Sequence, residues 1–192
     1  VSGVDVLTVG ADNSSGAYNF TGNLSSNSLV SPAGTYTVSL TGSSVAVNNP
    51  ISFLSSGLVT LGDGGSDSQV YGGGIFHTAG DTSLAGNIST TDDAVTLAAV
   101  TLTGNTAINT AATTLAGDIS LGVVTGGTNN LNLTAGNISD ATVDVTSFSS
   151  TGNLTLGSAG TATFGAVTAN VVTISNALTS VIFSDTLSAT TL

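Results

Sequence analysis

The stretch Ser83–Thr110, SLAGNISTTDDAVTLAAVTLTGNTAINT, decides how the whole chain is read. Gly86-Asn87-Ile88-Ser89 opens a short run that Asp92-Asp93 interrupts. Val95–Leu102, V-T-L-A-A-V-T-L, then places apolar residues near a period of two before Gly104-Asn105 restarts the pattern. A period of two is the mark of a strand with one buried face, and Gly, Asn and Asp at short intervals are turn formers. The runs fit strands of three to six residues joined by tight turns, which is the grammar of stacked coils.

Working outward, the same unit returns along the chain. Gly, then Asn or Asp, then an aliphatic residue, then Ser or Thr occurs at Gly22–Ser25, Gly86–Ser89, Gly117–Ser120, Gly136–Ser139 and Gly152–Thr155, with a degenerate copy at Gly104. A longer unit, a strand ending at glycine followed by a polar turn and an aromatic, appears at Leu7–Gly10 with Phe20, Val59–Gly62 with Tyr71, and Leu154–Gly157 with Phe164. These repeats predict an all-β, right-handed parallel β-helix (β-solenoid) over 1–192. It would be one segment of about ten coils of about 18–20 residues, forming part of a longer repeat array. The alternative is a β-sandwich. It is disfavoured because Asp63-Gly64 is the one strong hairpin signal and the repeats are longer than sandwich strand spacing.

Composition supports the strand reading. Lys and Arg are absent, Gln occurs once and every one of the 11 acidic residues is Asp, so most strong helix formers are missing. Hydrophobic residues make up 40% of the chain, which is too many for a disordered tail, and aromatics only 5%, which predicts an aliphatic core. A net charge of −11 with no Lys or Arg argues against nucleic-acid partners and anionic membranes. No apolar run reaches spanning length, so membrane insertion is not expected, and Val1 begins no recognisable signal peptide. Without cysteine there is no disulfide or thiolate site.

Chemistry-bearing residues are sparse. His77, with Asp81 four residues on and many serines, satisfies a Ser-His-Asp inventory, but no nucleophile elbow accompanies it, and it reads as a turn histidine beside Gly80. Asp92-Asp93 is the one adjacent carboxylate pair, pointing to opposite faces in a strand and to solvent in a turn. No catalytic residue and no cofactor are expected. The loop Gly62–Ser68 is the best metal candidate, with Asp63 and Asp67 able to offer oxygens to Ca²⁺, although a plain surface loop is the better reading.

Seven N-x-S/T sequons, at Asn13, Asn19, Asn23, Asn87, Asn132, Asn137 and Asn153, follow largely from the repeat. Stacked between coils, the repeat asparagines would form an amide ladder. The pairs Thr35/Thr37, Thr101/Thr103 and Thr161/Thr163 lie too far apart to give one pair per coil, so an ice-binding array is set aside.

The run from Ser83 to Thr110, followed by LAGDIS at Leu115–Ser120 and NNLNLTAGNIS at Asn129–Ser139, resembles the β-strand repeats of giant filamentous-haemagglutinin-like bacterial adhesins. The resemblance is best from Leu58 to Leu156. It implies a right-handed parallel β-helix outside a Gram-negative cell. The expected function is a non-catalytic rod of an extracellular, cell-surface adhesin, whose partners are neighbouring repeats and a host or bacterial cell surface. The alternative is a subunit that self-associates into an extracellular filament.

Overall fold

The computed structural model describes residues 1–10, 15–110 and 117–192. Among these residues there is no α-helix, and every strand pairing is parallel. The chain is a β-solenoid of about 8 turns. The antiparallel pairing that a sandwich needs does not occur among the described residues.

Three parallel ladders run along the solenoid. The first stacks β1 (Val4–Thr8), the start of β3 (Leu24–Gly34), β5 (Ser44–Val47), β8 (Ser68–Tyr71), the ends of β9 (Ile75–Thr90) and β10 (Val95–Asn109), β12 (Leu131–Thr134) and the start of β14 (Leu154–Ile174). The second joins the end of β3 to β6 (Ile51–Ser55), then the starts of β9, β10, β11 (Ile119–Gly127) and β13 (Thr142–Ser150), then β14 and β15 (Ala177–Phe183). The third stacks β2 (Ala17–Phe20), β4 (Thr37–Leu40), β7 (Val59–Leu61), the middles of β9 and β10, the ends of β11 and β13, the later part of β14, and β16 (Leu187–Thr191).

Alternation turns every second residue inward, and parallel register sets it on its counterpart in the next coil. The first ladder buries the column Leu24–Val45–Gln69–Ile88–Ile108–Leu133–Leu156. The second has Ile51–Ile75–Val95–Ile119–Val143–Ala162, capped by half-buried Val181. The third runs from half-buried Tyr18 through Val38–Val59–Thr82–Val100–Val124–Phe148–Val167 to half-buried Leu187. Together these columns fill the bore with one continuous core, as close packing in an aliphatic interior requires.

Two expectations need correction. The turns number about 8 rather than about ten, because coils are longer and less regular than the repeat suggested. Partners in adjacent coils are as few as 18 residues apart at Thr82↔Val100 and as many as 25 at Ala107↔Asn132. The Gly-Asn-aliphatic-Ser unit also does not mark one place in the coil. The copies at Gly22, Gly86 and Gly152 lead into the first ladder, that at Gly117 leads into the second, and that at Gly136 lies in the turn between β12 and β13. The unit is a turn-to-strand signal that any corner can use.

Corners are tight where glycine occupies them. A Cβ on Gly165 would lie 2.0 Å from the Thr146 carbonyl oxygen, and one on Gly122 would lie 2.1 Å from that of Ala98. Both neighbours are backbone and have little freedom to yield. Gly165→Ala is therefore expected to destabilise the chain by about 1–3 kcal/mol through overpacking. Leu133→Ala should cost about 2–5 kcal/mol through the cavity it leaves in the first column. Thr125→Ala, on an exposed outward position, should stay within about 0.5 kcal/mol of the parent. Urea unfolding followed by far-ultraviolet circular dichroism measures all three, and equal losses would contradict the inward and outward assignment.

Candidate functional site

The loop between β7 and β8 holds the predicted calcium ligands. Asp67 is buried, and its Oδ2 accepts hydrogen bonds from the backbone N–H groups of Asp63 and Gly64, both at 2.9 Å. Those two bonds hold its carboxyl below the usual carboxylate range, against the opposing effect of burial. Asp63 lies on the exposed side of the same loop. The loop also docks on the next coil: the Asn87 N–H donates to the Asp67 carbonyl at 2.7 Å, and Gly86, at φ +85°, leaves room for that contact. One carboxylate thus closes the Gly/Asp loop on itself. Among the described residues, no three His, Cys, Asp or Glu side chains gather closely enough to hold a metal. A cation here would draw on the remaining Asp67 oxygen, Asp63 and backbone carbonyls.

His77 is not a turn residue. It points into the bore from β9, is fully buried, and meets Phe53 edge-on with ring centroids 6.0 Å apart. Its register partner in the following coil is Leu97. Period-two alternation from Ile75 places His77 inward, a signal that the neighbouring Gly80 obscured. Nε2 lies 3.1 Å from the Ser55 carbonyl oxygen, which can only accept, so Nε2 carries the hydrogen. Nδ1, 2.9 Å from the Thr82 hydroxyl, then accepts from it in the neutral ring. Asp81 is exposed, so the Ser-His-Asp inventory is not brought together as a triad. Asp92 and Asp93 occupy the turn between β9 and β10 and are half-buried rather than fully solvated. Asp92 has φ 61°, a left-handed conformation that aspartate tolerates.

The asparagines are used at coil edges, in short runs rather than one long ladder. Asn27 donates to Asp5 at 2.8 Å, and Asn48 donates to Asn27 at 2.9 Å. Further along, Asn105 Oδ1 accepts from the Asn130 N–H and Asn130 Oδ1 from the Asn153 N–H, while Asn170 donates to Asn153 at 3.3 Å. Among the sequon asparagines, Asn23 accepts from Ser43 and Ser44, Asn87 donates to the Asp67 carbonyl, and Asn137 accepts from Asn176. Asn13 lies outside the described residues.

One surface feature escaped the sequence reading. On the third ladder the outward positions Asn19, Ser39, Thr60, Ser83, Thr101, Thr125, Ser149, Thr168 and Ser188 stand in unbroken register. After Asn19, every rung of this column carries a hydroxyl. Only Thr101 of the three Thr-x-Thr pairs contributes to it; Thr161 and Thr163 sit on the second ladder. The column is hidden in the sequence because its spacing drifts with turn length.

Asp67→Ala is expected to lower stability by about 1 kcal/mol near neutral pH, by removing the two amide acceptors. Because folding depresses this carboxyl's pKa, its contribution is present above the ordinary value of about 3.9 and lost as pH falls below it. Urea melts of parent and variant should therefore converge in acid. A calcium-dependent rise in the parent's midpoint, absent from Asp67→Ala, would place a cation in the loop.

Comparison with known protein families, curated proteins and solved structures found no match.

Proposed function

We propose that the chain is a non-catalytic structural rod, a β-solenoid segment of an extracellular bacterial surface adhesin. The observation that carries this reading is the continuity of three parallel ladders and their inward columns through every described coil. A filled solenoid touches itself only between neighbouring coils, so it gains length at constant cross-section. About 8 turns at a strand spacing of about 4.8 Å give a rod roughly 35–40 Å long. The buried polar groups described above are engaged in holding coils and turns together. The resemblance to haemagglutinin-like repeats supports a cell-surface location, where such a rod would hold a binding region away from the envelope. Antibody raised against the chain is expected to label intact cells of the producing bacterium. Labelling only after permeabilisation would count against the surface assignment.

A second reading, a self-associating filament subunit, is favoured by the two end coils. Leu7, Tyr18 and Phe20 at one end, and Val181, Phe183, Leu187 and Ala189 at the other, are inward residues only half covered. Further coils of the same polypeptide or a second copy would cover them. The chain has no cysteine, so Asn19→Cys combined with Ser188→Cys reports directly on head-to-tail stacking. These two positions cap the third ladder at opposite ends of the rod and cannot meet within one molecule. The filament reading expects oxidised dimers and larger multimers from the double variant alone. A monomer under oxidising conditions leaves the rod without self-assembly.

A further inference from the structure

Three buried polar side chains fall in one coil, Ser68–Leu84. Gln69 interrupts the first column and Thr82 the third, while His77 stands on the second ladder two residues beyond Ile75, in register with Leu97. Gln69 is satisfied at both ends, donating to the Leu40 carbonyl at 3.0 Å and accepting from the Tyr71 hydroxyl at 2.8 Å. His77 and Thr82 are bonded to each other, and His77 reaches back to the Ser55 carbonyl of the preceding coil. The chain has no Lys, no Arg and this one His. Its single side chain able to become cationic near neutrality is therefore sealed in the bore, between Phe53 and Leu97.

We propose that this coil is an acid-sensitive joint in the solenoid: protonation of His77 places a charge in a fully buried stack and opens the coil locally while distant coils stay paired.

The surroundings offer the charge little compensation. Neither β6, which supplies Phe53 and Ser55, nor β10, which supplies Leu97, carries a titratable side chain, and the same is true of β7. On β8 the one titratable group is Tyr71, whose phenol burial pushes far up, so it stays neutral. On β9 itself Asp81 favours the protonated ring but stands exposed, and Asp92 and Asp93 lie in the turn beyond. Burial outweighs both Asp81 and the Ser55 bond, so His77 sits below the ordinary histidine value. The sign follows: the unfolded or opened chain takes up a proton first, near pH 6.5, and stability falls as pH drops from there toward the folded pKa. This window opens at the ordinary histidine value, well above the ordinary carboxylate value at which Asp67 begins to matter. In a stack of coils that contact only their neighbours, loosening one coil divides the rod into two blocks without unfolding either.

Hydrogen–deuterium exchange near pH 7 and about pH 5, corrected for intrinsic rates, tests the joint. Opening at the amides of Ile75, His77 and Leu97 is expected to rise by up to about tenfold per pH unit across the window. The Val143 and Ala162 rungs should not change. In His77→Gln, which keeps a donor and an acceptor but no titrating proton, the acid-induced rise should disappear. A rise shared equally by both regions, one that persists in His77→Gln, or no rise at all would overturn the inference. If His77→Gln does not fold, the unaltered chain decides, because its one histidine gives a single imidazole resonance. That resonance should stay neutral below the ordinary value while the Leu97 amide is protected. An ordinary titration with protection intact would overturn the joint.

Discussion

In-register parallel pairing is the constraint on which the rest of the structure depends. Once one coil's backbone amides and carbonyls bond to the next, each side chain is placed over its counterpart at strand spacing, about 4.8 Å away. Inward positions must then form columns of mutually compatible side chains, and aliphatic residues do this without further conditions. The succession Ile51–Ile75–Val95–Ile119–Val143 on the second ladder is the simplest example. Aromatics enter where a neighbour can stack, as Phe164 and Phe183 do with ring centroids 5.5 Å apart.

The same constraint makes a buried polar group a problem for the coils on both sides of it. In the Ser68–Leu84 coil the solution is mutual: Tyr71 serves Gln69, Thr82 serves His77, and carbonyls of earlier coils take the remaining donors. Removing one member would leave its partner unsatisfied in a dry interior, which costs more than the bond itself contributes. Among the described residues, the buried Ser26 Oγ has no hydrogen-bond partner.

Outside, register works on charge. A column of aspartates at strand spacing would repel along its whole length, and the chain has no Lys or Arg to relieve it. Asp144 is instead set between Ser120 and Thr163, and Asp118 accepts the Thr142 N–H of the next coil at 2.9 Å. Asparagine and hydroxyl residues tolerate stacking because each can donate and accept, as Asn27 does between Asp5 and Asn48.

The sequence by itself determined the class of structure. Missing helix formers, period-two runs such as Val95–Leu102, and glycine–asparagine turns leave short strands as the economical backbone, and their recurrence calls for stacking. It also made the aliphatic core and the turn character of Gly62–Ser68 legible. It did not determine register. Turns of different length join the strands, so equivalent residues lie 18 to 25 positions apart, and one motif can serve three different places in a coil. Only the tertiary pairing decided that His77 faces Phe53 inside the bore and that Asn19 and eight hydroxyl residues share one outward line. The reason is physical: alternation along the chain says which residues share a face of a strand, while backbone hydrogen bonds between coils choose which residues become neighbours.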